Sequence, residues 1–237
     1  MHFNPLVLLL ATFVVALDPK CAPGGNFDLS KWKLQEPVGD DGKPNEVSGS
    51  DLKGCQGFQD KWFYTDKTDG ALVMKVPKRS DCVTTPNSKH CRSELREADP
   101  DSWDPKKSTN RLFGDVQVIK SGGDIVVGQI HMPSEVSKKP VALLYVGKDG
   151  KLTLGVGKCR TCTSTRSDVG KLKSPRDRFT YEIRYEKGKL SVSINGGSFK
   201  EFDTYDLDSP KSYFKAGNYN QAEDASEVHF YQIKITH

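Results

Sequence analysis

The chain has little of several features that mark common functional classes. Its formal net charge is only +4, from 35 Lys and Arg against 31 Asp and Glu, which is unlike the strong basic bias of a dedicated nucleic-acid-binding protein. After residue 16 it has no apolar run of the roughly 20 residues that a transmembrane helix needs. No long stretch carries an apolar stripe at helical spacing. We therefore expect neither nucleic acid nor a membrane as a partner, few helices, and a monomeric globular protein.

The one strongly apolar segment lies at the N-terminus. Residues 6–16 read LVLLLATFVVA, which is too short to span a bilayer, and they end in small residues that suit a signal peptidase. The preceding residues lack Lys and Arg, and a buried N-terminal strand is the alternative interpretation. We predict a secretory signal peptide over residues 1–16, an extracellular protein, and a single domain over residues 17–237.

Period-two alternation of apolar and polar residues is the main structural signal in the rest of the chain. It is clear over residues 179–186 and 190–195, which flank the turn signal Lys187-Gly188, and Asp149-Gly150 joins VALLYVG to LTLGVG in the same manner. Many short strands with Gly and Pro turns predict an all-β fold, an antiparallel β-sandwich of the jelly-roll type. Residues 36–50 and 99–110 are predicted to be long polar loops. The other predicted strands are 71–76, 91–97, 112–119, 125–132, 213–219 and 228–235.

The six cysteines all fall within residues 17–237, and an even number in an oxidising compartment predicts three disulfides. The sequence does not fix the pairing, although short loops favour Cys82–Cys91 and Cys159–Cys162. A redox Cys-x-x-Cys site would need a surrounding βαβ pattern, and a zinc site would need a second close Cys or His pair. Neither is present in the sequence, so we expect no metal. The disulfide candidates are Cys21, Cys55, Cys82, Cys91, Cys159 and Cys162.

Three separate segments place long polar side chains on one face of a predicted strand, because alternate residues of a strand share a face. If the three strands are neighbours, these faces form a concave cationic floor that suits an acidic polymer. Each segment also has a simpler interpretation: a solvated edge strand, a hydrogen-bonded histidine or a packing tyrosine. The residues are Arg92, Glu94 and Arg96 in CRSELRE, Gln129 and His131 in GQIHM, and Tyr213, Lys215, Gly217 and Tyr219 in YFKAGNY.

The same segments resemble the signature blocks of a known family. RSELRE at 92–97, QIH at 129–131 and YFKAGNYNQ at 213–221 are similar, in order, to the blocks of family-seven polysaccharide lyases, and NFDLSKWKLQEP at 26–37 resembles their first strand. These are alginate lyases with a β-jelly-roll fold and a concave substrate-binding sheet. The resemblance implies an acidic polysaccharide, alginate, as the partner. By the same resemblance, the catalytic residues would be Arg92, Gln129, His131 and Tyr219, and the substrate-binding or supporting groups would be Glu94, Arg96 and Lys215.

The residue types suit β-elimination from a uronate. Arg92 and Gln129 could neutralise the sugar carboxylate, so that the C5 proton can be removed. Tyr219 could act as base and as acid, and nearby cations would stabilise its phenolate; His131 is the alternative base. Side chains supply every role, so no cofactor is expected, and the product would carry a 4,5-unsaturated end. The residues do not choose between mannuronate and guluronate, and endo action is the commoner expectation by resemblance.

Other functions remain open on the sequence alone. A lyase on another polyuronate such as glucuronan would use the same reaction, and a non-catalytic lectin would need only the polar floor. A glycoside hydrolase would need paired carboxylates, for which Glu201, Asp203 and Asp206 are the candidates. Asp99, Asp101 and Asp104 could hold calcium, but an acidic turn is the favoured interpretation.

Overall fold

A computed structural model describes residues 16–237 of the chain. The signal peptide predicted over residues 1–16 lies, except for its last residue, outside the described residues. Helix in the described part is confined to α1 Pro23–Asn26, α2 Gly49–Leu52 and a 3-10 turn at Arg79–Asp81. The strands are β1 Trp32–Asp40, β2 Lys43–Val47, β3 Phe63–Thr65, β4 Leu72–Val76, β5 Arg92–Glu97, β6 Arg111–Lys120, β7 Ile125–His131, β8 Pro140–Val146, β9 Lys151–Gly157, β10 Ser164–Lys171, β11 Phe179–Glu186, β12 Lys189–Ile194, β13 Lys200–Phe202, β14 Tyr213–Asn220 and β15 Ser226–Thr236.

These strands form two antiparallel sheets. One has eight strands in the order β10-β9-β8-β7-β14-β5-β1-β2, and the other has seven in the order β13-β12-β11-β6-β15-β4-β3. Several runs of sequence neighbours, such as β7 to β10 and β11 to β13, lie side by side, but β14 is inserted between β5 and β7. The all-β fold class and the antiparallel jelly-roll sandwich predicted from the sequence are confirmed.

The core lies between the two sheets and takes one face of each strand. In β11, Phe179, Tyr181, Ile183 and Tyr185 are at most 2% exposed, whereas the residues between them are half-buried. This alternation is the period-two pattern of the sequence. Burying each such side chain contributes about 1.5–3 kcal/mol, which fixes which face of the strand turns inward.

The two predicted hairpins are present. Glu186 pairs with Lys189 across Lys187 and Gly188, whose φ values of 52° and 75° are those of a tight two-residue turn that requires positive φ at both positions. Gly150, with φ of 82°, turns the chain between β8 and β9.

The prediction of a polar loop over residues 36–50 is wrong. Residues 36–40 complete β1, and Lys43–Val47 forms β2, which pairs with it at the edge of the eight-stranded sheet. An edge strand with largely exposed side chains lacks the apolar alternation by which strands are recognised. The edge strands β3, β10 and β13 are also strands that the sequence pattern did not predict, and β10, like β2, has no buried residue. Residues 99–110 do lie outside the strands, with Trp103 bridging to Ser212.

Three disulfides are present, between Cys21 and Cys55, Cys82 and Cys91, and Cys159 and Cys162. Across residues 16–237, no helix has the length and apolar character needed to cross a bilayer.

Candidate active site

The three strands with polar faces are neighbours in the centre of the eight-stranded sheet. β14 pairs with β5 on one side and with β7 on the other. Lys215 lies opposite Arg96 of β5 and opposite Gln129 of β7, and Tyr219 lies opposite Arg92. β14, which is more than 80 residues beyond β7 in the sequence, therefore presents its polar side chains on one surface with those of β5 and β7.

This surface is the floor of a cleft of about 570 Å³. Thr85, Asn87 and Ser88 also line the cleft, as do Ser134 and residues 137–139, and the lining reaches Lys33 and Glu46 on β1 and β2. All four residues predicted to be catalytic line it, together with two of the three predicted supporting residues. The lining residues from the sequence prediction are Arg92, Arg96, Gln129, His131, Lys215 and Tyr219.

Glu94 is the predicted site residue that does not line the cleft. Its side chain is 1% exposed and lies beneath the cationic groups, where Arg92 Nη1 is 3.2 Å from Glu94 Oε2. Lys215 Nζ and Gln129 Nε2 also contact the two carboxylate oxygens. Burial opposes ionisation of the carboxylate, but the charges of Lys215 and Arg92 and the hydrogen bonds outweigh it, so the pKa of Glu94 is lowered. Glu94 is thus an ionised carboxylate that fixes three of the floor residues.

Lys215 is itself buried, with 7% of its side chain exposed. Burial lowers its pKa to about 8, against the opposing attraction of Glu94, and the charges of Arg92 and Arg96 act in the same direction as burial. Arg96 is held separately, because Asp101 accepts a hydrogen bond of 2.6 Å from its Nη1 and its guanidinium lies 4.1 Å from the ring centroid of Tyr213. Asp101 therefore has a structural partner in Arg96.

His131 is oriented by two contacts at Nδ1. The Met132 carbonyl oxygen is 2.7 Å from Nδ1 and accepts its hydrogen, and Tyr213 Oη is 3.2 Å away. The Tyr213 ring also stacks on the imidazole, with centroids 5.5 Å apart. A carbonyl at Nδ1 fixes the tautomer in which Nε2 carries the free lone pair. Burial, with the charges of Lys215 and Arg92, lowers the pKa of His131 to about 4, so the ring is neutral at neutral pH.

Tyr219 lies at the other side of the floor. The Arg92 guanidinium is 4.0 Å from the Tyr219 ring centroid, and Ser88 Oγ is 3.3 Å from Tyr219 Oη. The ring packs on an apolar group formed by Val126, Leu143 and Tyr145. The phenol therefore has one polar neighbour at its oxygen and a cation over its face.

A β-bulge lies next to Tyr219 in the pairing of β14 with β7. Pairing between β14 and β7 shifts register between Ala216 and Tyr219. A Cβ on Gly217 would lie 2.6 Å from the Ser93 carbonyl oxygen, so the close approach of β14 to β5 requires glycine there. The shift places Val126 opposite Tyr219, whereas the register of the Lys215–Gln129 pair, continued without a shift, would place Ile125 there.

Two residues of the site, Tyr213 and Ser88, were given no role by the sequence analysis. Tyr213 shares a strand face with Lys215, so alternation places it on the floor, but its stacking on His131 depends on the pairing of two strands. Ser88 lies in an irregular loop, where no periodic signal indicates where a side chain points.

The alternative acidic residues lie elsewhere. Glu201 is on β13, at the edge of the seven-stranded sheet, and neither it nor Asp203 or Asp206 lines the cleft. Within residues 16–237, no group of three or more His, Cys, Asp or Glu side chains is arranged to hold a metal ion.

Comparison with known proteins gives consistent matches. The sequence model of a family described as alginate lyase matches residues 27–237. An alginate lyase from Klebsiella pneumoniae is 25% identical over 289 aligned residues, which cover 91% of this chain and 91% of that protein. The crystal structure of alginate lyase A1-II′, a member of polysaccharide lyase family 7, is 32% identical with a TM-score of 0.78 and covers 91% of this chain and 98% of its own. An alginate lyase structure from Pseudomonas aeruginosa is 26% identical with a TM-score of 0.74, covering 89% and 99%.

Proposed function

The chain belongs to the alginate lyase family, polysaccharide lyase family 7, and we propose that its central cleft cleaves alginate by β-elimination and leaves 4,5-unsaturated uronate ends. A variant of the relative A1-II′ that is 32% identical to this chain has been crystallised in complex with a substrate, GGMG. The substrate class of the present chain is accordingly an acidic polysaccharide of 1,4-linked uronates.

The observation that carries the proposal is the convergence of four chemically suited side chains in one cleft. A uronate bound there would meet the guanidinium of Arg92 and the amide of Gln129, which can pair with its carboxylate. Neutralising that carboxylate stabilises the negative charge that develops when the C5 proton leaves. Because Glu94 holds both groups from below, they are oriented before the substrate arrives.

The proton transfers are assigned to His131 and Tyr219. The C5–H bond breaks towards a base, a C4–C5 double bond forms, and the C4–O bond breaks as its oxygen takes a proton from an acid. In mannuronate the C5 proton and the C4 oxygen lie on the same side of the ring, so Tyr219 can serve as both base and acid. In guluronate they lie on opposite sides, and the free Nε2 of neutral His131 is suited to be the base with Tyr219 as the acid.

The roles proposed for Glu94, Arg96 and Lys215 depend on whether each side chain is buried or lines the cleft. Glu94 positions the cationic groups, since its side chain is only 1% exposed. Arg96 and Lys215 line the cleft and supply positive charge for further uronates. The extension of the cleft from Lys33 and Glu46 to the loop at 134–139 supports binding of several sugars and therefore endo action on a long chain.

The proposal also covers the location and the assembly state of the enzyme. Three disulfides and the apolar segment within residues 1–16 support secretion into an extracellular, oxidising medium. We propose that residues 17–237 act as one monomeric catalytic domain.

The test is the ultraviolet absorbance of the conjugated product when the purified protein is mixed with alginate. We expect absorbance to rise with the wild-type chain and with Tyr231→Phe, a control tyrosine on the opposite sheet whose hydroxyl contacts Gln117. Tyr219→Phe should give no rise but should still bind the polymer. New reducing ends without absorbance would indicate a hydrolase, binding without either signal a lectin, and activity on glucuronan alone another polyuronate lyase; each outcome would contradict the proposal.

A further inference from the structure

The segment between Cys82 and Cys91 forms a fixed loop beside the cleft. Its disulfide closes it, and its ends are tied to the sheet, because Val83 N donates to the Pro37 carbonyl at 2.8 Å and Asn220 N to the Cys91 carbonyl at 3.0 Å. Arg92 follows directly at the start of β5. The disulfide and these hydrogen bonds therefore tie both ends of the loop to the sheet that forms the floor.

The side chain of Ser88 lies between two residues of the proposed machinery. Arg92 Nη2 donates to Ser88 Oγ at 2.9 Å, and Tyr219 Oη is 3.3 Å from the same oxygen. The backbone of His90 makes two more contacts, with its N–H 3.2 Å and its carbonyl oxygen 3.1 Å from Ser88 Oγ. A hydroxyl has one hydrogen to donate. Ser88 can give it either to the His90 carbonyl or to the oxygen of Tyr219.

We propose that Ser88 is a positioning residue that acts through Tyr219, by rotating its hydroxyl hydrogen from the His90 carbonyl to the phenolate oxygen whenever Tyr219 loses its proton. This inference rests on the proposed function, in which Tyr219 carries the proton.

The hydrogen-bond geometry supports both states. When Tyr219 is a phenol, its proton is directed at the C4 oxygen of the substrate and the hydrogen of Ser88 points to the His90 carbonyl, while the two lone pairs of Ser88 Oγ accept from Arg92 Nη2 and the His90 N–H. When Tyr219 has given its proton to the leaving C4 oxygen, its own oxygen can only accept. The Ser88 hydroxyl then turns and donates to it, while Arg92 still donates to Ser88 Oγ. A hydroxyl that accepts a hydrogen bond from a guanidinium is polarised, so it stabilises an anion more than a hydroxyl without such a partner would.

The other groups around the phenol do not replace this donor. His90 meets the Tyr219 ring edge-to-face at 6.0 Å, and Arg92 lies over the ring face. From β8, Tyr145 packs against the ring and carries the Arg166 guanidinium on its own face at 3.5 Å, and β7 contributes the apolar Val126. Of these neighbours, only Ser88 has a hydrogen-bond contact to Tyr219 Oη.

The experiment compares Ser88→Ala and Ser88→Thr with Ser80→Ala, an exposed serine outside the loop and the cleft. The first measurement is the ultraviolet titration of Tyr219 without substrate, taken as the difference between each protein and the same protein with Tyr219→Phe. Phenolate formation should move to higher pH in Ser88→Ala and stay in place in Ser88→Thr and Ser80→Ala. Circular dichroism confirms that each variant is folded.

The second measurement is the pH profile of turnover on alginate. In Ser88→Ala, kcat should fall roughly ten- to a hundredfold, as expected for loss of a hydrogen bond to a charged group, with little change in KM. Ser88→Thr should restore most of it. Coincident titrations and profiles for Ser88→Ala and wild type would overturn the inference. If the wild-type chain made no unsaturated product, the proposed function would fall, whereas the titration would still decide whether Ser88 stabilises the phenolate.

Discussion

The carboxylate of Glu94 forms an ion pair with the ammonium of Lys215 in which the two side chains are 1% and 7% exposed. Arg92 shares the same carboxylate, so two cations face one anion and the group leaves a net positive charge in the floor of the cleft. In a region from which water is excluded, that charge acts on a bound uronate with little screening. The buried carboxylate therefore sets both the direction of the cations and the size of the local charge.

Replacing Glu94 with Gln should test this arrangement. The amide keeps the shape but leaves Lys215 and Arg92 without their counter-charge, and breaking a buried pair in this way costs about 3–5 kcal/mol of unfolding free energy. We expect a lower denaturation midpoint and a large fall in kcat, because the cations repel each other and turn away. Chemical denaturation and steady-state kinetics on alginate measure the two effects.

The matched control is Glu201→Gln, which removes an exposed carboxylate paired with Lys189 across the edge of the other sheet. Exposed pairs contribute about 0–1 kcal/mol, so this variant should be close to wild type in stability and activity. Equal stability of the Glu94 and Glu201 variants would show that the buried pair does not organise the floor.

Arg92 should contribute more to turnover than to affinity. In Arg92→Ala the developing charge on the sugar carboxylate loses its guanidinium partner, and removal of one such donor typically lowers kcat by about 10²–10³-fold. Polymer binding should weaken far less, because Arg96 and Lys215 still line the cleft. Initial rates and equilibrium binding of alginate separate the two quantities.

Arg178, directly before β11, offers a control with similar contacts to residues of the opposite sheet. Its guanidinium lies 3.6 Å from the ring centroid of Tyr231 and pairs with Asp115 at 2.6 Å, so it repeats the contacts of Arg92 away from the cleft. Arg178→Ala should leave kcat unchanged. A similar loss of turnover in both variants would point to a general structural effect rather than to a role of Arg92 in catalysis.

The sequence predicts much of this floor, and the reason is periodicity. Alternation in RSELRE, QIH and YFKAGNY places the right side chains on one face of each strand, and the structure keeps Arg92, Gln129 and Lys215 on that face. Alternation does not predict that the three strands are neighbours, because the pairing of segments far apart in the chain depends on the topology of the whole sheet. Only the family resemblance indicated it before the structure.

The parts that could not be predicted are those where the backbone departs from regular alternation. The bulge opposite Gly217 depends on the close packing of β14 against Ser93 and Glu94, which leaves no local pattern in the sequence. Ser88 contacts Arg92 and Tyr219 from a loop whose path is set by a disulfide and by hydrogen bonds to other strands. β2 was missed because an exposed edge strand has no buried face to produce alternation.

His131 should titrate far below the usual range of histidine. Burial and the charges of Lys215 and Arg92 lower its pKa to about 4, against about 6.5 for an exposed imidazole. Between these values the unfolded chain binds a proton at this residue and the folded protein does not. The free energy of unfolding therefore falls as pH decreases through that window, by at most about 1.4 kcal/mol per pH unit from this residue.

NMR of the imidazole protons measures the titration, and His131→Gln identifies the resonance. The variant should also remove this contribution from the pH dependence of stability. A titration midpoint near 6.5 would contradict the effect of burial and of the charges of Lys215 and Arg92 on His131.

The disulfide between Cys82 and Cys91 should matter more for turnover than for stability. It closes a short loop, and the chain-entropy model gives about 3 kcal/mol for its removal, against about 4 kcal/mol for the longer loop closed by Cys21 and Cys55. The shorter loop, however, carries Ser88 to its contacts with Arg92 and Tyr219.

Two double variants separate these effects. In Cys21→Ala/Cys55→Ala we expect the larger drop in melting temperature with kcat unchanged at a temperature where the protein is folded, because this disulfide does not line the cleft. In Cys82→Ala/Cys91→Ala we expect the smaller drop in melting temperature but a clear fall in kcat, since a loosened loop no longer holds Ser88 against the phenol. Calorimetry measures the drop in melting temperature of each variant, and initial rates on alginate measure the fall in kcat. If both variants lost turnover in proportion to their loss of stability, the loop would act only through folding. A larger fall in kcat in the variant with the smaller drop in melting temperature is expected only if the loop positions the residues of the cleft.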